Sequence, residues 1–436
     1  MRNKLIIILL IISILPIGIV AQNNTNSPYT RFGYGKLVDA SFGRTSAMGG
    51  ATLGFRSKST INPANPASYS CIDSTSFLFE MGVSGLFSNY SLKDSLSGKI
   101  SSTSKVTGNL DSFAMQFPVT KWLGMSAGII PYSFAGYNFA TKDSTKMPHP
   151  TNDSLIVRNN QTFSGSGGIS QVYLGLSVDL FKRLSLGVNG YYMFGSVVNK
   201  RSVAISSTDG NITYDSFQDM EFRVNSFNMR FGLQYHQPLR QGKDMLVVGA
   251  IYEFQSPFHS TSSATTVSLV SGSTADTVAS VARASDFKFE LPNVYGGGIS
   301  YLVDNKLLIN ADFQYQQFAS AQFMSRKDTL NNRMKISGGV EYIHKPNGNR
   351  YIDRMSWRIG GNYTNSYINV NGFGTKDFAL TAGVGFPFLH SKSVLNLNFE
   401  YGKIGSMANS LLNEQYFRLG VNLTLNENWF FKPVIH

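Results

Sequence analysis

The sequence predicts an all-β protein, a transmembrane antiparallel β-barrel of about fourteen strands, and three observations carry that prediction. Segment after segment sets apolar residues against small or polar ones at period two, as strands do when their two faces meet different surroundings. The connections between these segments alternate between long and short. Behind an export-type N-terminus, no run of roughly 18 apolar residues exists that could cross a bilayer as a helix.

The N-terminus sets the address. Arg2 and Lys4 precede an apolar stretch from Leu5 to Val20, and Ala21 offers a small residue for cleavage, so residues 1–21 read as a signal peptide. Cys71 is the only cysteine, which excludes an intrachain disulfide, and it lies too far from the cleavage site for a lipid anchor; it reads as a small buried thiol. With 41 glycines, 32 Phe, 21 Tyr and 15% charged residues, the composition is that of aromatic strand formers with few helix-forming charges.

Candidate strands run near 75–89, 105–118, 122–138, 169–181, 184–198, 220–236, 244–258, 286–301, 306–321, 333–343, 355–367, 376–388, 393–404 and 415–425. In 306–316, Leu308, Ile309, Ala311, Phe313 and Tyr315 form one set against Asn310, Asp312, Gln314 and Gln316. In 394–401, Leu395, Leu397, Phe399 and Tyr401 oppose Asn396, Asn398 and Glu400. Segment 417–425 sets Phe417, Leu419, Val421, Leu423 and Leu425 against Arg418, Gly420, Asn422 and Thr424. Arg230, Arg358 and Thr381 fall in the inward sets of 226–236, 357–364 and 378–386, so Arg230, Asp312, Arg358, Glu400 and Arg418 are expected to face the lumen. Because the chain continues through Trp429 to His436, the last strand has room to run beyond 425.

A soluble sandwich also alternates, and the joins decide between the two. Long polar joins at 90–104, 139–168, 199–219, 259–285 and 322–332 interleave with short ones at 119–121, 182–183, 237–243, 302–305, 344–354 and 389–392. A membrane barrel has that asymmetry, with short periplasmic turns and longer external loops, and both termini then lie in the periplasm. The Ser/Thr-rich joins 142–168 and 259–285 are read as flexible surface.

The net charge of +12 is spread singly along the chain, so nucleic acid is excluded as a partner, while outer-membrane lipid and lipopolysaccharide suit the charge. The six histidines, His149, His236, His259, His344, His390 and His436, form no catalytic set or metal-ligand spacing, and no cofactor is expected. Gly165-Ser166-Gly167-Gly168 is not followed by a helix and makes no phosphate cradle.

Three places resemble the FadL-type family of outer-membrane transporters of hydrophobic compounds. The stretch from Arg44 through Met48, Gly49, Gly50 and Ala51 is similar to the glycine segment of the family's N-terminal hatch, and Asn62-Pro63-Ala64 to its Asn-Pro-Ala signature. The triplet is doubled by Asn65-Pro66-Ala67, and either copy can take the family's position. Ile130-Pro131-Tyr132-Ser133-Phe134 resembles the proline-aromatic segment at a strand kink, which in the family forms a lateral opening in the wall. Proline cannot donate to a ladder, so Pro131 implies a bulge or a break on physical grounds alone. Leu291-Pro292, Gly296-Gly297-Gly298 and Asp312 resemble the family's Leu-Pro strand, hairpin and strand aspartate, although Asp312 is read first as a lumen-facing charge that keeps the next strand in register.

The resemblance implies a division into signal peptide (1–21), hatch or plug (22–72) and barrel (73–436), placed in the outer membrane of a Gram-negative bacterium. It implies passive uptake of hydrophobic small molecules, such as long-chain fatty acids or aromatic hydrocarbons, with lateral release. The alternative it leaves is a FadL-like subunit of a protein secretion or assembly complex of the type IX kind, with secretion-system proteins as partners. An enzyme is the reading with least support.

Overall fold

The computed structural model describes residues 24–429 apart from 94–99, 148–154, 182, 208–212, 272–277, 286, 371, 390 and 406–411; the signal-peptide segment and the chain beyond Trp429 lie outside the described residues. Fourteen strands close into one antiparallel barrel. They are β1 (Ser76–Lys93), β2 (Ile100–Pro118), β3 (Leu123–Met147), β4 (Leu155–Leu180), β5 (Leu184–Ser207), β6 (Thr213–Leu239) and β7 (Asp244–Glu253). The circuit continues with β8 (Val294–Val303), β9 (Leu307–Gln316), β10 (Arg333–Ile343), β11 (Ser356–Val370), β12 (Phe373–Pro387), β13 (Val394–Ile404) and β14 (Asn413–Asn428). Each pairs with its sequence neighbour, and β14 returns to β1 from Asn413 opposite Ser91 to Asn428 opposite Ser76, which closes the wall. The last strand thus runs to Asn428.

The wall is apolar outside because the alternation places it so. Ile309 and Phe313 of β9 are exposed outward while Asn310 and Asp312 are buried inward, and Phe399, Phe417 and Leu419 face out in the same way. Leu308 departs from the expected outward set: it is buried on the inner side, packed with Met48 and Phe55 of the N-terminal segment. Trp122, Trp357 and Trp429 are exposed at the short-turn end, and Trp429 stacks on Phe77 at 4.3 Å. Such an aromatic girdle suits a membrane interface.

Three joins differ from expectation. Segments 139–168 and 199–219 are not loops but continuations of the wall: β3 and β4 pair out to Met147 opposite Leu155, and β5 and β6 out to Ser206 opposite Thr213. Segment 259–285 likewise holds the strands Ser260–Ser271 and Val278–Ser285, the first paired along the outer half of β6. Their Ser, Thr and Asn side chains give no apolar period, yet the backbone still completes its hydrogen bonds. The candidate strands 244–258, 286–301 and 306–321 are also shorter than read. Around Pro292 the chain leaves the wall, and Glu290–Leu291 pairs instead with Ser256–Pro257.

Candidate functional site

Residues 24–75 run inside the barrel, and the wall is shaped to receive them. Tyr34, Met48, Phe55, Ala67 and Tyr69 are all shielded from solvent there. The segment has only short turns, at Pro28–Arg31, Gly43–Ser46 and Pro66–Cys71, with a two-residue strand at Lys36–Leu37. Its backbone therefore needs partners on the wall.

Glycines opposite one another across strands make room for it. Gly187 pairs with Gly232, Gly249 with Gly298, and Gly339 with Gly360. A β-carbon at Gly249 would run into the Leu53 carbonyl, and one at Gly339 would sit 2.5 Å from the Met48 Cα. These positions are empty of side chain because the hatch backbone occupies the space.

Polar groups then fix the register of hatch on wall. Gly49 and Gly50 both take left-handed backbone, with φ of 70° and 76°, a turn that suits residues without a β-carbon. In this turn the Gly49 N–H donates to Thr381 Oγ1 at 2.8 Å, and the Gly49 carbonyl accepts from Asn362 at 3.3 Å. Asn62 donates to the carbonyls of Thr52 (2.7 Å) and Phe55 (2.9 Å), tying the hatch to itself. Asn65 donates to Leu53 O at 2.7 Å and to Leu233 O of β6 at 3.2 Å. The two copies of the triplet thus do different jobs. The Pro63 carbonyl accepts from Asn189 and the Ala64 carbonyl from Arg230, at 3.0 and 3.2 Å.

Asp312 accepts from the N–H groups of Thr52 and Leu53, the latter at 2.7 Å. Its carboxylate therefore anchors the hatch rather than a neighbouring strand. A β-carbon at Gly298 would collide with Asp312, so the glycine run of β8 and the aspartate of β9 form one device.

Charges bury at the same junction. Glu341 of β10 accepts from Arg44 of the hatch at 2.5 and 2.8 Å and from Arg358 of β11 at 2.6 Å. Arg358 also donates to Asn396 and Ser356. Arg56 of the hatch pairs with Asp179 at 3.0 Å, and Asp39 with Lys335 and Arg333 at 2.7 and 3.1 Å. For Asp39, burial alone would raise the carboxyl, but Lys335 and Arg333 outweigh it and hold the group below the usual carboxylate range. Arg230 pairs with Glu253, and Arg418 with Asp111 at 2.7 Å and Glu400 at 3.7 Å.

Among the described residues the wall is split between β2 and β3. β2 pairs with β3 only from Phe113 opposite Ile129 to Pro118 opposite Gly124. At Pro131 the β3–β4 register shifts, and beyond it β3 takes Lys36–Leu37 of the hatch as its partner, opposite Phe134 and Ser133. The Val38 N–H adds a bond to the Tyr132 carbonyl at 2.9 Å. Proline's missing donor and the extra residue redirect the strand, and the hatch stands in the gap.

Two cavities flank this hatch strip. One of 310 Å³, beside the extended hairpins, is lined by aromatic and Met side chains including Phe32, Phe163, Phe222 and Phe323, with Arg31 and Arg201 also in its lining. The other, of 170 Å³, lies deeper and is lined by Lys36, Asp39, Arg333, Lys335, Asp377 and Glu400 among others. Among the described residues no group of His, Cys, Asp and Glu is arranged to hold a metal ion.

The sequence reading singled out Gly49, Gly50, Asn62, Pro63, Ala64, Arg230 and Asp312; the structure brings all of these but Asn62 to the hatch–wall contact, and Asn62 bonds within the hatch. Arg358 joins through Glu341, whereas Glu400 and Arg418 form a separate cluster and Pro131 lies at the split. The reading missed Glu341, Arg56, Asp39 and the pairing of the glycines, and it named Arg44 in the hatch motif without its ion pair to Glu341. Glu341 was within reach, since it alternates with outward Tyr342, and isolated strand glycines are themselves a sign of close backbone approach.

A family model described as BamG matches residues 1–435. No curated protein matches the sequence. Among solved structures, the chain is similar to the CymD monoaromatic hydrocarbon channel, with 11% identity and a TM-score of 0.57 over 92% of this chain and 100% of that one. It is similar to the P. putida toluene transporter TodX, with 13% identity and a TM-score of 0.56 over 91% and 100%. A Pseudomonas aeruginosa FadL homologue aligns with 9% identity and a TM-score of 0.51 over 90% and 99%. At these identities the likeness is one of fold, and the fold is the FadL-type barrel.

Proposed function

The chain belongs to the BamG family, and from that membership and its FadL-type fold we propose that it is an outer-membrane conduit for hydrophobic small molecules. The observation that carries the reading is the arrangement around the split wall. The 310 Å³ aromatic cavity offers apolar cargo a first stop, at the low end of the volume range of ligand pockets. Below it, the charged cavity and the buried ion pairs make the lumen a poor path for a hydrocarbon, because desolvating those groups has no compensation. The gap between β2 and β3 leads sideways, and among the described residues the hatch strip around Lys36–Leu37 lies across it. Cargo then leaves into the bilayer, passively, and the ends with short turns and both termini lie in the periplasm. Uptake of labelled long-chain fatty acid and of toluene by cells with and without the protein tests the reading. Equal uptake of both in the two strains overturns it.

A second reading is favoured by one observation, the edge that the outer half of β2 leaves open toward β3. A barrel that leaves strand backbone open in its wall offers a docking place to another protein, as a subunit of an assembly or secretion complex would. Co-purification of defined partners at fixed stoichiometry, without lipid-like density in the aromatic cavity, is the result this reading requires.

A further inference from the structure

We propose that the free edge of β2, from Ile100 to Ser112, is a docking site for an extended strand of another outer-membrane protein. The inference deepens the assembly-subunit reading and rests on it.

Along its whole length β2 pairs with β1, from Ile100 opposite Lys93 to Gln116 opposite Leu78. On its other side it pairs with β3 only from Phe113 onward, and among the described residues Ile100–Ser112 have no further backbone partner. An edge of this kind is a template for another strand. Across the gap the matching edge of β3 has already been taken by a strand, Lys36–Leu37 of this same chain, bonded antiparallel. The gap is therefore used by backbone hydrogen bonding on one side and open to it on the other.

The chemistry of the edge selects the occupant. An acyl chain or an aromatic hydrocarbon cannot bond to open N–H and C=O groups, and such groups are not left bare in hydrocarbon. On the inner face of β2, Thr107 and Ser112 are small, polar and shielded, at 5% and 1% exposure. Outward, Val106 and Leu110 are exposed. A strand with apolar residues outward and small polar residues inward meets both faces, and that is the pattern of a membrane-barrel strand.

The test places p-benzoylphenylalanine in turn at Ser102, Ser104, Val106 and Gly108 of the full-length protein in its own outer membrane, with Phe399 as a lipid-facing control. Gly108 has open space for a β-carbon. Folding of each variant is checked by heat-modifiable migration, and the crosslinked residues are located by mass spectrometry. The expected result is attachment along one segment of one partner protein, moving by two residues for each two-residue step of the probe, with lipid adducts alone at Phe399. Protein adducts without that stepwise register overturn the docked strand and leave the assembly reading standing. Adducts to lipid alone at all four positions overturn both.

Discussion

The hatch is held in two different ways along its length. From Asp39 to Asp73 it is pressed onto glycine pairs and tied by charge: among the described residues, every ion pair between hatch and wall begins at Asp39 or later. From Thr25 to Val38 the described residues make no ion pair with the wall; Ser27 donates to the Glu414 carboxyl, and Lys36 and Arg31 lie over the Tyr416 and Phe163 rings, but the backbone contacts are neutral. Thr30 exchanges bonds with Gly136 at 3.0 Å, and Lys36–Leu37 pairs with β3. Tyr34 sits among Phe258 and Phe323 at 5.2 and 5.1 Å. The part from Thr25 to Val38 lies along the split in the wall, and the part from Asp39 to Asp73 where the wall is complete. Buried ion pairs resist the loss of either partner, whereas a short neutral β pairing can be exchanged for an equivalent one. The later part therefore works as an anchor and the earlier part as a strip that can be displaced.

The anchor should break hardest at Glu341. Glu341→Ala leaves Arg44 and Arg358 buried together without a counter-charge, and a loss of about 3–5 kcal/mol is expected in unfolding titrations. Adding Arg44→Ala should restore part of it, because one stranded cation is then removed. If Glu341→Ala unfolds with the wild type, the charge layer is not what anchors the hatch.

Next in size are the glycine pairs. Gly249→Val puts side chain where the Leu53 carbonyl lies, and overpacking of this kind costs about 1–3 kcal/mol. The matched control is Gly85→Val on β1, where an added β-carbon meets nothing. Equal stability of the two variants would mean that the hatch does not need the glycines.

The strip should respond in function more than in stability. Pro131→Val restores a donor at the bulge and is expected to shift stability by less than about 1 kcal/mol, within the range of substitutions that touch no core packing. Uptake of hydrophobic solutes should nevertheless be lost if the wall closes. A variant that is heat-stable and transports at the wild-type rate makes Pro131 a structural bulge and nothing more.

Much of this molecule was legible in one dimension. The alternation of Ile309, Asn310, Phe313 and Asp312 assigned faces without a structure, the strand count followed from the alternating segments, and the joins separated barrel from sandwich. The outer hairpins were not legible, because both faces of 140–146 and 156–162 are partly or fully exposed to water, which removes the apolar period while leaving the backbone free to pair. The glycine belt was hidden for another reason. Gly249 opposite Gly298 is a statement about register between strands far apart in sequence, and no single segment carries it. Leu308 was placed outside because its neighbours suggested so, and its burial depends on Met48 and Phe55, which arrive from the hatch.

The smallest expected effect concerns pH, and it separates the anchor's charge from a titrating switch. Lys335 and Arg333 hold the Asp39 carboxyl below its ordinary range against the opposing pull of burial. A carboxyl depressed in the folded state contributes stability that is complete above its unfolded value of about 3.9 and is lost as pH falls through the lower folded value. Between pH 8 and 5 the Asp39 contribution should therefore be constant. The gap between wild type and Asp39→Asn in unfolding titrations, and the protection of hatch amides from hydrogen exchange, should not change across that window. Both should shrink only below about pH 4, as protonation removes the charge that Lys335 and Arg333 share. A wild-type hatch that loosens between pH 7 and 5 would mean that Asp39 is not held by these two cations, and the division between a charged anchor and a neutral strip would have to be drawn elsewhere.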